Sequence, residues 1–210
     1  ITDPAANAGP DQTVDEGTAV SFDGTGSADN VLIVNYTWTF TDVTPQTLWG
    51  TAPSYQFDNP GVYVVTLNVT DAAGNWNTDT VTITVNDVTA PAANAGPDQT
   101  VNEDTLVTFD GTGSTDNVLV VNYTWNFTDG GPVLLYGATP TYTFSSPGVY
   151  AVTLNVTDAA GNWHADTVTI TVNDITAPAA NAGPDQTVDE GTTVSFDGTG
   201  SADNVLIVNY

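Results

Sequence analysis

An internal repeat of 87 residues runs through the chain without a gap, and it limits the possible folds more than any other feature. Its clearest marker is the G-S-x-D-N segment, which occurs three times at this spacing. We therefore predict two domains, 1–87 and 88–174, and an incomplete third repeat at 175–210 that holds only the first strands of its domain. A third of a domain cannot bury its own apolar face. We expect either that the sequence is a window on a longer array or that another chain completes the last unit.

Each repeat has the pattern of a series of short β-strands. Apolar and polar residues alternate with a period of two in 20–22, 35–40, 62–70 and 80–85, and turns rich in Gly, Pro, Asn and Asp separate these segments. No segment shows helical periodicity. We therefore predict an all-β fold of tandem immunoglobulin-like antiparallel β-sandwiches, in which Trp38 is the core tryptophan of the third strand.

The charge composition excludes several classes of function. The chain contains 25 Asp and Glu residues but no Lys and no Arg, so its formal net charge is −25. Without basic residues it has no electrostatic surface for nucleic acid or anionic lipid, and no apolar run approaches the ~18 residues of a membrane span. There is no cysteine, and the single histidine, His164, is replaced by Asn77 in the first repeat. No Ser/His/Asp or Cys/His set can be assembled, so we predict that the protein is not an enzyme.

Three segments of each repeat resemble the PKD (polycystic kidney disease) domain family, which has an immunoglobulin-like fold. They are the Phe-Asp-Gly turn at 22–24, the Tyr-Thr-Trp-Thr-Phe strand at 36–40, and the run 60–71, whose Pro-Gly-Val-Tyr start is typical of a tyrosine corner. The family often continues its tryptophan strand as Trp-Asp-Phe-Gly-Asp-Gly, whereas this chain has Trp-Thr-Phe-Thr-Asp, which leaves the following loop unassigned. The resemblance implies a prokaryotic protein that is extracellular or on the cell surface.

Carboxylates are expected to meet where consecutive repeats join. In an immunoglobulin-like topology the domain entry, the second-to-third-strand loop and the end of the sixth strand lie at one end. In the second repeat these places carry Asp87, Asp116 with Asn117, and Asp158. One like-charge contact costs about 4 kcal/mol at about 4 Å near a protein surface, and a hard cation with oxygen ligands removes that cost. We therefore predict a calcium site; the alternative is that Asp116 and Asp158 only cap their loops.

The resemblance agrees with this interpretation, because some PKD domains bind calcium with residues at these three places. The first repeat lacks the linker ligand, for which Asp3 is the possible substitute. The corresponding ligands are Asp29, Asn30 and Asp71 in the first repeat, and Asp174 and Asp203 at the joint to the third. Calcium at the joints would stiffen an otherwise hinged array.

The sequence also contains five N-glycosylation sequons. Two of them fall on the polar side of strands that are neighbours in this fold, so glycans there would coat one sheet face without touching the core. The sequon asparagines are Asn35, Asn68, Asn122, Asn126 and Asn155. We expect at least one of them to be glycosylated; the alternative is that a threonine-rich chain contains such motifs by chance.

Four aromatic residues lie outside the expected core. Trp76 and Trp163 follow a Gly-Asn turn, where they could stack on a sugar or on a neighbouring repeat, although we favour a cover over the end of the domain. Trp49 and Tyr136 lie in the one variable region and are candidate contacts between subunits.

These features favour a secreted, non-catalytic structural protein: a filament, stalk or sheath in which calcium-stiffened repeats self-associate into a fibre or array. The alternative is a spacer, or a carbohydrate-binding or adhesive repeat region, of a larger secreted enzyme or adhesin. Both place the protein outside the cell or on its surface.

Overall fold

A computed structural model describes residues 2–209, and these contain β-strands and no helix, so none that could cross a membrane. The chain separates into two compact units. The first comprises residues 2–90 together with 116–119 and 158–162, and the second comprises 91–115, 120–157 and 163–209.

Each of the first two repeats contains seven strands. In the first repeat they are β1 (Gln12–Asp15), β2 (Ala19–Ser21), β3 (Ile33–Asp42), β4 (Thr44–Trp49), β5 (Ser54–Gln56), β6 (Gly61–Asp71) and β7 (Trp76–Asn86). In the second repeat they are β8 (Gln99–Asn102), β9 (Leu106–Thr108), β10 (Val120–Thr128), β11 (Pro132–Tyr136), β12 (Thr141–Thr143), β13 (Gly148–Asp158) and β14 (Trp163–Asn173).

Each of these two repeats is a sandwich of a five-stranded and a two-stranded sheet. The first repeat has the orders β1-β7-β6-β3-β4 and β2-β5, and the second has β11-β10-β13-β14-β8 and β12-β9. The predicted all-β, immunoglobulin-like sandwiches are therefore confirmed. One pairing in each repeat is parallel rather than antiparallel: β1 pairs with β7, and β8 with β14. A parallel pair needs a long crossover connection, and the rest of the repeat supplies it.

The core of the first repeat consists of the inward-facing positions of the alternating strands. Trp38 and Leu67 are fully buried, and the ring of Phe22 stacks on that of Trp38 with a centroid distance of 5.2 Å. The Trp38 indole Nε1 donates a hydrogen bond to the Gly50 carbonyl at 3.0 Å, so the one polar group of this buried ring has a partner. Trp125 has the same place in the second repeat.

The predicted tyrosine corner is confirmed in both repeats. The Tyr63 hydroxyl donates a 2.8 Å hydrogen bond to the Asn59 carbonyl, and the Tyr150 hydroxyl donates one of the same length to the Ser146 carbonyl. In each case the tyrosine ties the start of the sixth strand of the repeat to the turn before it.

The region that the sequence left unassigned after the third strand forms an additional strand. In the first repeat β4 returns antiparallel along β3 and becomes the edge of the large sheet. Val43 makes the turn between them with a φ of 58°, and Gly130 makes the equivalent turn with a φ of 65°. Trp49 and Tyr136 are therefore on edge strands and not in a loop.

Residues 175–209 correspond to the start of the repeat. They contain a bridge between Ala179 and Ala202 but no strand.

Candidate functional site

Three carboxyl groups of the first compact unit lie close together. Asp87 follows β7, Asp116 lies in the loop between β9 and β10, and Asp158 ends β13. One carboxylate oxygen from each residue lies within 4.8 Å of the other two. Within residues 2–209, this is the one set of three or more acidic, histidine or cysteine side chains that lie so close.

Asp158 is held in place by the turn that follows it. It is only 3% exposed, and its Oδ1 accepts hydrogen bonds from the backbone amides of Gly161 at 2.7 Å and Asn162 at 2.8 Å. Its Oδ2 accepts a third from Asn162 Nδ2 at 2.8 Å. Burial alone would raise the pKa of Asp158, but these hydrogen bonds hold it below its ordinary value. The carboxylate is therefore ionised and oriented.

Asp116 has one oxygen with hydrogen-bond donors and one without. Its Oδ2 accepts hydrogen bonds from the backbone amides of Val118 at 3.1 Å and Leu119 at 3.0 Å. Its Oδ1 is buried and has no hydrogen-bond partner, which is costly for a charged oxygen. The Oδ1 atoms of Asp29 and Asp203 are buried and unpartnered in the same way, so all three repeats leave one oxygen without a donor at this position.

Asp87 brings the linker into the cluster. Its Oδ1 accepts a 3.1 Å hydrogen bond from the Thr89 amide, and its backbone carbonyl accepts one from Asn162 Nδ2 at 3.3 Å. Burial raises the pKa of Asp87, and the negative charges of Asp158 and Asp116 raise it further, while the Thr89 hydrogen bond acts in the opposite direction. Since the chain has no Lys or Arg, no side-chain cation offsets this repulsion.

These three side chains form a set of hard oxygen donors without a countercharge. Carboxylate oxygens are the ligands that Ca²⁺ prefers in proteins, and the unpartnered oxygen of Asp116 is a donor that the protein itself does not use. The residues present therefore fit a calcium ion, and calcium binding stays a prediction.

A fourth acidic residue, Glu16, holds the linker beside this cluster. Its Oε1 accepts hydrogen bonds from the backbone amides of Val88 at 3.1 Å and Thr89 at 2.8 Å, and from the Thr89 hydroxyl. Its Oε2 accepts a 2.8 Å hydrogen bond from Asn117 Nδ2. Asn117, which the sequence suggested as a ligand, therefore uses its amide nitrogen in this contact.

The sequence alone did not lead us to predict that glutamate holds the linker, although the position of the glutamates in the repeat points to a shared role. The three glutamates of the chain, Glu16, Glu103 and Glu190, occupy the same position of the repeat. Glu103 makes the same contacts as Glu16: its Oε1 accepts hydrogen bonds from the amides of Ile175 and Thr176, and its Oε2 accepts one from the side chain of Asn204.

The other predicted ligand positions have fewer carboxylates around them. Asp71 accepts hydrogen bonds from the backbone amides of Ala73 and Asn75, and it lines a shallow pocket together with Asn30. Asp174 accepts one from the Thr176 amide. Within residues 2–209, neither aspartate belongs to a group of three such close side chains.

The sequon asparagines of the first repeat lie on the outward face of its large sheet. Asn35 pairs with Thr70 across β3 and β6, and Asn68 pairs with Thr37. Each asparagine is therefore opposite the threonine of the other sequon. The remaining three occupy outward positions of β10 and β13 in the second repeat; they are Asn122, Asn126 and Asn155.

The tryptophans that follow the Gly-Asn turns lie on this same outward face. Trp76 is 59% exposed and Trp163 is 62% exposed, at the first positions of β7 and β14. The structure therefore does not support our interpretation that they cover the end of the domain. Trp49 shares the outward face with Trp76, because it pairs with the outward-facing Thr37.

Comparisons with known proteins agree with the fold. The family model of the PKD domain matches residues 1–85 and 88–172. The "Dyslexia-associated protein KIAA0319 homolog" of Mus musculus is 32% identical over 210 residues, which is 92% of this chain and 19% of that protein. The "Dyslexia-associated protein KIAA0319-like protein" of Mus musculus is 31% identical over 218 residues, which is 92% of this chain and 20% of that protein.

The chain thus spans about a fifth of the length of these curated relatives. Among solved structures, the PKD domain from KIAA 1837 protein is similar to 44% of this chain over 96% of its own length, with 21% sequence identity and a TM-score of 0.34.

Proposed function

Because the chain belongs to the PKD domain family, we propose that it is a tandem-repeat region of a non-catalytic structural protein outside the cell. The protein would form a filament, stalk or sheath from immunoglobulin-like repeats. The family that matches is not a family of enzymes, and each candidate ligand is repeated along the chain as a structural element would be.

The observation that carries the proposal is the cluster of Asp87, Asp116 and Asp158 in a chain without cationic side chains. A calcium ion would be ligated by the three carboxylates, including the unpartnered Oδ1 of Asp116. It would remove the repulsion that raises the pKa of Asp87. It would also tie the linker to the two loops at 116–119 and 158–162.

This tie explains how calcium would serve a filament. The stability of a repeat array depends on its units and on the interactions between neighbours, so a linker fixed by a cation resists bending. Lateral assembly would use the edge strands β4 and β11, whose outer backbone groups have no partner strand within residues 2–209.

An extracellular location would also make the sequons candidates for N-glycosylation. Asn35, Asn122 and Asn126 are exposed, and Asn68 and Asn155 are partly exposed. Glycans at these positions would leave the core and the cation site untouched, because they would project from the outward sheet face.

Calorimetric unfolding with and without calcium tests the cation site. If the site binds calcium as tightly as extracellular calcium-binding modules do, 10 mM calcium stabilises the folded chain by about 1.4–2.7 kcal/mol. The Tm then rises relative to a buffer with chelator. Asp116→Asn removes one charge, keeps an oxygen for the loop amides and should abolish most of this response. Asp110→Asn, at an aspartate that accepts hydrogen bonds from the Thr112 amide and hydroxyl and lies outside the cluster, is the matched control. Identical unfolding curves in calcium and in chelator would contradict the proposal.

Electron microscopy of the native material tests the filament. Continuous fibres of uniform diameter are expected, and single unassociated strings of domains would contradict self-assembly.

The alternative function, a spacer or carbohydrate-binding repeat region of a larger secreted enzyme or adhesin, is favoured by the exposed Trp49 and Trp76. A hydrolase or adhesive domain in the same full-length protein would support that alternative.

A further inference from the structure

Most of the outward face of both large sheets carries no charge; the exception is Asp15 of the edge strand β1, which pairs with the outward-facing Asn86. In β3, β4, β6 and β7 the outward positions hold only Thr, Asn, Val, Pro and Trp. In β10, β11, β13 and β14 they hold only Thr, Asn, Val, Ala, Leu, Pro, Tyr and Trp. The chain carries 25 carboxylates, so their near absence from a face of this size needs a physical explanation.

The same face exposes two large aromatic side chains in each repeat. In the first repeat, Trp49 is 69% exposed and Trp76 is 59% exposed. Uncharged surface with exposed indoles is normally covered, because it otherwise promotes association. The sequon asparagines are on this face, so the chain itself carries the attachment points for a neutral cover.

The strand register places each tryptophan in line with one sequon asparagine. Thr70 pairs with Asn35 on one side and with Trp76 on the other. Thr37 pairs with Asn68 on one side and with Trp49 on the other. Since neighbouring strands are about 4.8 Å apart, each asparagine is about 10 Å from the tryptophan in its row, with one short threonine between them. The other tryptophan is a diagonal neighbour on the adjacent strand, about 7–8 Å away: Trp49 for Asn35, and Trp76 for Asn68.

The second repeat has aromatic rings at the same places. Tyr136 pairs with Thr124, and Trp163 pairs with Thr157, the threonine of the Asn155 sequon. Its large sheet has the corresponding strand order. The variable region thus differs in sequence between the repeats but keeps an exposed aromatic residue at this position.

We propose that Trp76 and Trp49 together form a stacking platform for the first sugars of N-glycans carried by Asn35 and Asn68. This inference rests on the glycosylation that we proposed above. A pyranose ring is neutral and has a face of C–H groups that packs on an indole, while its hydroxyls can bond the threonine hydroxyls around it. A span of about 7–10 Å suits a side chain followed by one or two sugar rings.

A double-mutant cycle on the glycosylated full chain tests the pairing. The protein is produced in a host that performs N-glycosylation, the glycans are trimmed to the innermost sugars, and mass spectrometry establishes occupancy of Asn35 and Asn68. Thermal unfolding is then measured for Trp76→Ala, Asn35→Gln and the double variant. We expect Trp76→Ala to lower the Tm by about 4 °C more when Asn35 is glycosylated than when it is replaced.

The matched control uses an exposed aromatic residue of the other repeat. Tyr136 lies on β11, so Tyr136→Ala and Asn35→Gln should have additive effects on the Tm. Additive effects for Trp76→Ala with Asn35→Gln would overturn the platform. Unmodified Asn35 and Asn68 in the native protein would overturn glycosylation itself, a result that leaves the calcium and filament proposals to their own experiments.

Discussion

Asn117 donates a 2.8 Å hydrogen bond to Glu16, a residue 101 positions earlier in the chain. The other carboxylate oxygen of Glu16 accepts hydrogen bonds from the backbone amides of Val88 and Thr89. One side chain therefore holds both the linker and the loop that carries Asp116. This contact needs no cation, so its contribution can be separated from that of calcium by experiment.

Glu16→Ala should loosen the linker even in the absence of calcium. It removes the acceptor of four hydrogen bonds, and because the glutamate is only partly buried we expect a loss of about 1 kcal/mol. Amide hydrogen exchange at Val88 and Thr89 should become faster. Glu190→Ala is the matched control, since Glu190 has no such contacts within residues 2–209. Unchanged exchange at both amides would show that Glu16 does not hold the linker.

The same glutamates predict a loss of stability in acid. Burial would raise the pKa of Glu16, but hydrogen bonds from Thr89 and Val88 hold it below its ordinary value; the hydrogen bond from Thr176 is the main cause of the same lowering in Glu103. A carboxyl group with a lowered pKa stabilises the fold above its unfolded pKa of about 4.3, and this stabilisation is lost as the pH falls through the folded pKa.

Thermal unfolding between about pH 3 and pH 7 measures this effect. The Tm of the parent chain should fall as the solution is acidified below about pH 5. A variant that combines Glu16→Gln with Glu103→Gln should show a shallower fall, because glutamine keeps an acceptor but cannot be protonated. Equal slopes in the two proteins would contradict the assignment.

The sequence predicts those features that depend on local alternation or on the general topology of the fold. The buried Trp38 and the tyrosine corner at Tyr63 follow from strand patterns. Strand β4 could not be predicted, because its sequence varies between the repeats and contains Pro45, and because its pairing comes from β3. The partners of Glu16 do not follow from a local pattern, since they lie 72, 73 and 101 residues away; the recurrence of glutamate at one place in the repeat marks the position but not its partners.

Asp87→Asn should raise the Tm in chelator and reduce the increase in Tm that calcium produces. Burial and the carboxylates of Asp158 and Asp116 raise the pKa of Asp87. A carboxyl group with a raised pKa destabilises the fold increasingly as the pH rises through the folded pKa. At neutral pH the substitution removes this penalty, so the Tm in chelator should rise. In calcium it removes a ligand, so the increase in Tm on adding calcium should shrink.

Asp174→Asn is the matched control for this substitution. Asp174 has the same place in the following linker and accepts the same kind of backbone hydrogen bond, from Thr176, but it is not part of the three-carboxylate cluster. Its substitution should change the Tm little in either buffer. If Asp87→Asn lowered the Tm in chelator, the three carboxylates would not be repelling one another.

Val43→Gly should stabilise the first repeat. Val43 has a φ of 58°, in the left-handed region that β-branched residues rarely adopt, and Gly130 occupies the equivalent turn with a φ of 65°. Val43 is 86% exposed, so glycine removes strain without removing packing. We expect a gain of about 1 kcal/mol, which raises the Tm by about 4–8 °C for a domain of this size.

Two further substitutions determine whether backbone strain is the cause of that gain. Gly130→Val places valine at the strained position of the second repeat, so it should lower the Tm by a similar amount. Asp104, with a φ of 61°, also has a glycine equivalent, Gly17, but aspartate tolerates this conformation better than valine does. Asp104→Gly should therefore stabilise less than Val43→Gly. Equal gains at the two positions would mean that the β-branched side chain of Val43 is not the source of the strain.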